Sequence, residues 1–193
     1  MRIGIDGKIA LQDNGEEGKK ASLFIEKIAE SYPGSDFLVY TSRLGSNSNV
    51  QRLRQIYNVR FCLPAQSGFQ GELWRKFGIT NNLPADKIDV YYGSCGELPL
   101  NIGESDIPSV VTVDNLLWIS NPEKFSFISR KIKNFICRKS CLNADRIVVP
   151  DEKIKEDLCK FYVISPDKIE IKSPDLMAAD FMSVMESVSK PEQ

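Results

Sequence analysis

The 193 residues contain no histidine. That absence excludes a Ser-His or Cys-His dyad, an imidazole general base and a His-ligated zinc. Chemistry is left to Asp, Glu, Lys, Tyr or Cys, or to a bound partner. An excess of charge of either sign is also missing. Lys and Arg number 25 against 26 Asp and Glu, a net charge of -1, so the chain has no overall electrostatic footprint for nucleic acid. No apolar run is long enough to predict a transmembrane segment. Met1-Arg2 leads straight into an apolar strand-like run rather than a signal peptide, so the expected location is cytoplasmic. The five cysteines, Cys62, Cys95, Cys137, Cys141 and Cys159, form no C-x-x-C pair. An odd count in a chain of this size reads as reduced thiols. Cys137 and Cys141 fall on one helix face, but two thiols without further ligands make no zinc site. Neither metal nor cofactor is expected.

What is present is the mixture of a globular protein, 42% hydrophobic and 26% charged, long enough for one complete core. Strand-like runs cover residues 1–6, 36–41, 59–63, 88–92, 108–114, 146–149 and 168–172. Helical patterns cover 19–32, 50–56, 71–77, 125–142 and 151–162. The runs VVTV and RIVV are apolar on both faces, as buried parallel strands are. This alternation predicts an α/β fold, a single doubly wound, mostly parallel sheet with helices on both faces. Ligands of such sheets lie beyond the carboxyl ends of the strands, here the loops after Asp6, Tyr92, Asp114 and Val149. In the longest helix, Phe127, Ile128, Ile132, Phe135 and Ile136 are spaced to face a core. The domain is expected over 1–172, with a helical tail over 173–193. In that tail Asp175 can cap an amphipathic helix bearing Leu176, Met177, Phe181, Val184, Met185 and Val188. Its apolar side either folds back on its own domain or forms a homodimer through 175–188. Neither G-x-G-x-x-G nor a Walker pattern follows the first strand.

Four segments, taken in order, resemble a known family: MRIGID with its glycine-bearing loop; LWRKFGI with IDVYYGSCGELPL; SVVTVDNLL; and ADRIVVPDEKIKEDL with PDKIEI. They are similar to the N-terminal half of retaining glycosyltransferases of family 4, which have the GT-B fold, and within it to bacterial mannosyltransferase-like enzymes of surface polysaccharide synthesis. The resemblance implies a Rossmann-like domain that receives the acceptor, facing a second domain that grips the nucleotide-sugar. The family's C-terminal signature, two Glu with seven residues between, does not occur in this sequence. The donor half is therefore expected to lie outside it.

The chain departs from the family pattern around the cleft. Where relatives have N-T-G-x-G-x-Y, this sequence has Asn14-Gly15-Glu16-Glu17-Gly18-Lys19-Lys20. Two carboxylates then satisfy the helix dipole and repel phosphate. Relatives end the fifth strand V-V-T-I-H-D-L, but here Asp114 and Asn115 replace the His-Asp pair. Tyr92 precedes Gly93 where relatives place His, and Asp151-Glu152 begins the segment after the sixth strand. The resemblance makes Gly15, Glu16, Glu17, Gly18, Tyr92, Gly93, Ser94, Glu97, Asp114, Asn115, Asp151 and Glu152 the candidate cleft and acceptor residues, with no catalytic residue assigned. It implies a domain without transferase activity alone, binding an acceptor glycan, a lipid-linked acceptor or a partner glycosyltransferase chain. An acceptor-binding subunit of a split enzyme and a truncated remnant are the alternatives. The basic residues Arg130, Lys131, Lys133, Arg138 and Lys139 share the longest helix. They are either a solvated side or, since family members work on lipid-linked acceptors, a face peripheral at the membrane.

Overall fold

Short runs rich in Val, Ile and Tyr become strands because both of their faces are covered. They are β1 (Arg2–Asp6), β2 (Asp36–Tyr40), β3 (Val59–Cys62), β4 (Val90–Gly93), β5 (Ser109–Thr112), β6 (Arg146–Val149) and β7 (Ile169–Ile171). The computed structural model describes residues 1–172 and 178–189. The strands form one sheet in the order β3-β2-β1-β4-β5-β6-β7, every pair parallel. The chain thus runs outward from β1 to β3, then returns across β1 to β4 and continues to β7. That reversal opens a crevice at the carboxyl ends of β1 and β4.

Right-handed crossovers in opposite directions place helices on opposite faces. On one face, α1 (Lys8–Gln12), α2 (Glu16–Ser31) and α3 (Ser48–Leu53) pack over Ile3, Ile5, Phe37 and Val39. On the other face, α5 (Ile79–Asn82), α6 (Leu117–Ser120), α7 (Phe127–Asn143) and α8 (Glu152–Tyr162) pack over Tyr40, Tyr91, Val111 and Ile147. The expected helix over 71–77 is part of a longer stretch. There α4 (Phe69–Leu73) continues through a π-helical turn, Trp74–Gly78, into α5.

All crossovers from β4 to β7 lie on the second face, which would leave the first face bare beyond α2. The last helix, α9 (Ala178–Val188), fills that gap. Phe181, Met182, Val184 and Met185 are buried in the same cluster as Tyr92, Val110 and Val148. The Phe181 ring meets Phe24 edge-on at 5.2 Å and Tyr92 at 5.0 Å. The helix thus folds back on its own domain, the first of the two readings of the tail, and the alternative, a homodimer through 175–188, loses its basis, because these apolar side chains are spent within the chain's own core. Asp175, Leu176 and Met177 lie outside the described residues.

A second expectation is corrected in α7. Of the five apolar residues expected to face the core only Ile136 does so, in a buried line with Cys137, Ser140 and Cys141. Phe127, Ile128, Ile132 and Phe135 are 65, 71, 50 and 59% exposed. The reason is close approach. A Cβ at Gly96 would lie 2.9 Å from Cys137 Sγ, and the Leu98 N–H donates to Ser140 Oγ at 2.9 Å. Only small side chains fit between α7 and the loop after β4.

The carboxyl end of β1 is fixed by a buried charge cluster. Arg75, carried inward by the π-helical turn and 4% exposed, donates from Nη1 to Asp6 at 2.7 Å and from Nη2 to Glu97 at 2.8 Å. Its Nε reaches Glu72 at 3.4 Å, and the Ser42 hydroxyl donates to the other Glu72 oxygen. Desolvation raises the pKa of Asp6 despite Arg75. It is also the largest influence on Glu97, but there Arg75, Lys8 and Lys76 together outweigh it and the carboxyl titrates below its ordinary range. A depressed carboxyl stabilises the fold above its unfolded pKa and loses that contribution as pH falls through the folded value.

Arg75→Ala would leave Asp6 and Glu97 unpaired, at an expected cost of about 3–5 kcal/mol in urea unfolding at neutral pH. Because protonation relieves orphaned carboxylates, that deficit should shrink as pH falls toward 5; a deficit independent of pH would contradict this account. Phe181→Ala should cost about 3–5 kcal/mol by the same measurement. An effect below about 1 kcal/mol would mean that α9 is not part of the cooperative unit.

Candidate functional site

The crevice at the strand reversal contains a pocket of about 340 Å³. Four strands supply its floor: β1 gives Ile5 and Asp6, β4 gives Tyr92, β5 gives Thr112, and β6 gives Val148 and Val149. One wall comes from the first turns of α2, with Glu17, Lys20, Ala21 and Phe24. The turn after β4 supplies Ser94 and Cys95, the segment after β5 supplies Asp114, and Lys172 completes the rim. The Lys172 ammonium is held 3.6 Å from Asp180 of α9.

Local chain geometry explains the presentation. In the turn 94–97, Cys95 and Gly96 both have positive φ, 55° and 74°, and the Glu97 N–H returns to the Ser94 carbonyl at 3.2 Å. Two successive left-handed residues make a tight turn that suits Gly at the second position but is uncommon for Cys at the first. The Gly96 N–H is anchored to the Thr112 carbonyl at 2.7 Å, so the turn lies across the end of β5. Gly93 must be Gly, since a Cβ there would meet the Glu97 carbonyl oxygen at 2.1 Å. Gly18 likewise admits the Asp13 carbonyl oxygen at 2.1 Å from where a Cβ would be.

The polar groups are organised around Asp114. Cys95 Sγ donates to Asp114 Oδ2 at 3.6 Å. Desolvation, with Glu17 nearby, raises the Asp114 pKa although the Cys95 contact opposes it. The Cys95 thiol is pushed up to about 12, by desolvation first and then by the Asp114 carboxylate. It is thus a hydrogen-bond donor rather than a nucleophile at neutral pH. The Tyr92 and Thr112 hydroxyls share a hydrogen bond of 2.8 Å. The pocket offers carboxylate acceptors and hydroxyl groups beside two aromatic rings, Phe24 and Tyr92.

Of the twelve candidates read from the sequence, Glu17, Tyr92, Ser94 and Asp114 line this pocket. Gly15 is the N-cap residue of α2, and Glu16 and Glu17 occupy its first turn rather than a loop before it. Gly18 and Gly93 serve close backbone packing. Glu97 points away, to Arg75 and a second groove lined by Lys8, Glu72, Lys76 and the outer side of α7. Asn115 accepts from the Leu117 N–H at 3.3 Å. Asp151 caps α8 by accepting from the Ile154 N–H at 2.9 Å, with Glu152 in the first turn. Neither Asn115, Asp151 nor Glu152 lines the pocket. Sequence reasoning missed Lys20, Phe24, Cys95, Thr112 and Lys172 as lining residues. Lys20 and Phe24 carried a signal in the spacing from Glu17 along one helix face; Lys172 carried none. Among the described residues, no group of three or more His, Cys, Asp or Glu is arranged to hold a metal ion. No helix among them is long and apolar enough to cross a membrane.

No protein-family model matches this sequence, and no curated protein matches it. Solved structures do. The structure of Anabaena Alr3699/HepE in complex with UDP and glucose is similar with a TM-score of 0.56 at 15% identity, over 96% of this chain and 49% of that one. A glycosyltransferase from Rickettsia africae ESF-5 has a TM-score of 0.52 at 14% identity, over 89% and 42%. UDP-GlcNAc 2-epimerase from Neisseria meningitidis, bound to UDP-GlcNAc, has a TM-score of 0.53 at 14% identity, over 89% and 46%. The chain spans about half the length of these proteins. At such identities the likeness is one of fold alone, a GT-B-like fold shared by a glycosyltransferase and an epimerase.

Proposed function

We propose that this chain is the acceptor-side domain of a glycosyltransferase-like protein, that its pocket binds a hydroxyl-rich glycan, and that the domain transfers no sugar by itself. The observation that carries this reading is the pocket's chemistry. Asp114 and Glu17 stand together beside Ser94 and Thr112, with Phe24 and Tyr92 as apolar walls. Sugar hydroxyls donate well to carboxylates, while the apolar face of a pyranose suits an aromatic wall. A nucleotide diphosphate fits poorly. Its phosphates would approach the N-terminus of α2 at Glu16 and Glu17, which already satisfy the helix dipole and repel a second anion. The volume falls in the range of small-molecule sites, about 300–1,000 Å³. In this reading the donor side faces the pocket across the crevice. It is contributed by a partner glycosyltransferase chain or by sequence beyond these residues, in the assembly of a surface polysaccharide.

Calorimetry with neutral oligosaccharides and with nucleotide-sugars tests the proposal. Oligosaccharides are expected to bind and nucleotide-sugars not; binding of nucleotide-sugars alone, or measurable sugar transfer by the purified chain, would overturn it. Asp114→Asn should weaken glycan binding by about tenfold or more, the loss of one charge-assisted hydrogen bond. The ionised carboxylate is the form that accepts twice, and its pKa is raised. Binding should therefore be present at neutral pH and fade as pH falls, at a higher pH than an ordinary Asp would give. The Asn variant should lack that dependence.

A further inference from the structure

The polar side chains of the crevice pocket divide into those already spent and those left over. Asp6 accepts from Arg75 at 2.7 Å and from the Lys8 N–H at 2.9 Å. Lys172 is held by Asp180. The remainder is dominated by two carboxylates. None of the ion pairs among the described residues includes Glu17 or Asp114. Asp114 receives one hydrogen bond among these residues, at Oδ2, from the Cys95 thiol, a weak donor. The charge that acts on Asp114 is that of Glu17, which is negative too, and neither rim lysine, Lys20 or Lys172, offsets it. The position of Glu17 in the first turn of α2 favours its ionised form.

Two like charges facing one cavity repel each other, and a cation between them removes the repulsion and is attracted by both. The rest of the lining narrows the kind of cation. The Tyr92 and Thr112 hydroxyls share a single hydrogen bond of 2.8 Å. One hydroxyl proton of the pair therefore has no acceptor among the described residues and is left for a ligand. Tyr92 is 7% exposed, and its ring stands 6.1 Å from that of Phe24. A bare ion would use neither the hydroxyl proton nor the rings. The pocket of about 340 Å³ is also roughly tenfold larger than the share of one water, about 30 Å³. An organic ammonium answers each feature. Its N–H groups meet the carboxylates, its charge suits the aromatic faces, and an oxygen on its carbon frame accepts the free hydroxyl proton.

We propose that the glycan bound in this pocket is an amino sugar, with its free ammonium seated between Glu17 and Asp114 and its ring against Phe24 and Tyr92. This rests on the glycan reading above and narrows it to a substrate class. A neutral sugar can occupy the same space, but its hydroxyls leave the repulsion between the two carboxylates in place. The pocket therefore selects for the amine rather than merely admitting it.

Calorimetry on the full chain with a glucosamine oligosaccharide and with its N-acetylated counterpart, equal in length and linkage, tests this. The two differ only in whether the nitrogen carries charge. Just below the pKa of the amine, the glucosamine form should bind about tenfold or more tightly. That advantage should shrink as salt rises from about 0.05 to 0.5 M. Glu17→Gln and Asp114→Asn should each cut it to about threefold or less. The comparison of the two glycans on the unaltered chain stands whether or not a variant folds. Equal binding of both glycans, or tighter binding of the N-acetylated one, would overturn the proposal and leave the glycan reading in place. An advantage unchanged by salt and by both variants would overturn it as well. Equally tight binding of putrescine, a diamine without a sugar ring, would overturn it by showing that the pocket reads charge alone. If neither glycan binds, the glycan reading fails and takes this inference with it.

Discussion

The guanidinium of Arg75 is the constraint on which the site depends. It is buried among Asp6, Glu97 and Glu72, and a buried charge tolerates little displacement from its partners. Three separate pieces of chain are tied through it: the end of β1, the loop after β4 and the π-helical turn. A continuous α-helix through 69–82 would rotate Arg75 away from that junction, so the wide turn and the ion cluster explain each other. Burial raises the Asp6 pKa even beside this cation, while the cations around Glu97 hold its carboxyl below the ordinary range.

From that anchor the pocket follows. Asp6 belongs to both sides, lining the pocket while its Oδ2 accepts from Arg75. The β4 loop, held by Glu97, turns back at Cys95-Gly96 and sets Ser94 and Cys95 against Asp114. The aromatic wall has a different support. Phe24 and Tyr92 meet the Phe181 ring behind them, so α9 both covers the sheet face and stiffens the pocket. Polar acceptors on a rigid floor beside a braced aromatic wall suit a ligand that is hydroxylated on its edges and apolar on one face.

Much of this was legible in the sequence, for identifiable reasons. The strands were readable because VVTV and RIVV are apolar at consecutive positions, as only strands covered on both faces are. The crevice was readable because the alternation of elements implies a parallel sheet, whose loops at the carboxyl ends are few. Asp114 and Tyr92 stand at such ends and do line the pocket. Asn115, Asp151 and Glu152 stand equally near but serve helix starts instead, Asp151 as the cap of α8, Glu152 in its first turn and Asn115 just before α6, and one-dimensional proximity cannot separate the two uses. Arg75 was hidden, since the π-helical turn that buries it has no sequence period. The α7 stripe misled for a related reason. Spacing reports which residues share a side, not which side faces the sheet, and close approach to Gly96 gave the inside to Cys and Ser.

The central claim is that the crevice pocket is an acceptor site for hydroxylated ligands. The most direct measurement is a set of backbone amide NMR spectra recorded during titration with a neutral oligosaccharide and, separately, with UDP. The account predicts that the oligosaccharide shifts amides of Glu17, Ser94, Cys95, Thr112 and Asp114 while UDP leaves them in place. Shifts from UDP at these amides, with none from any oligosaccharide, would contradict it.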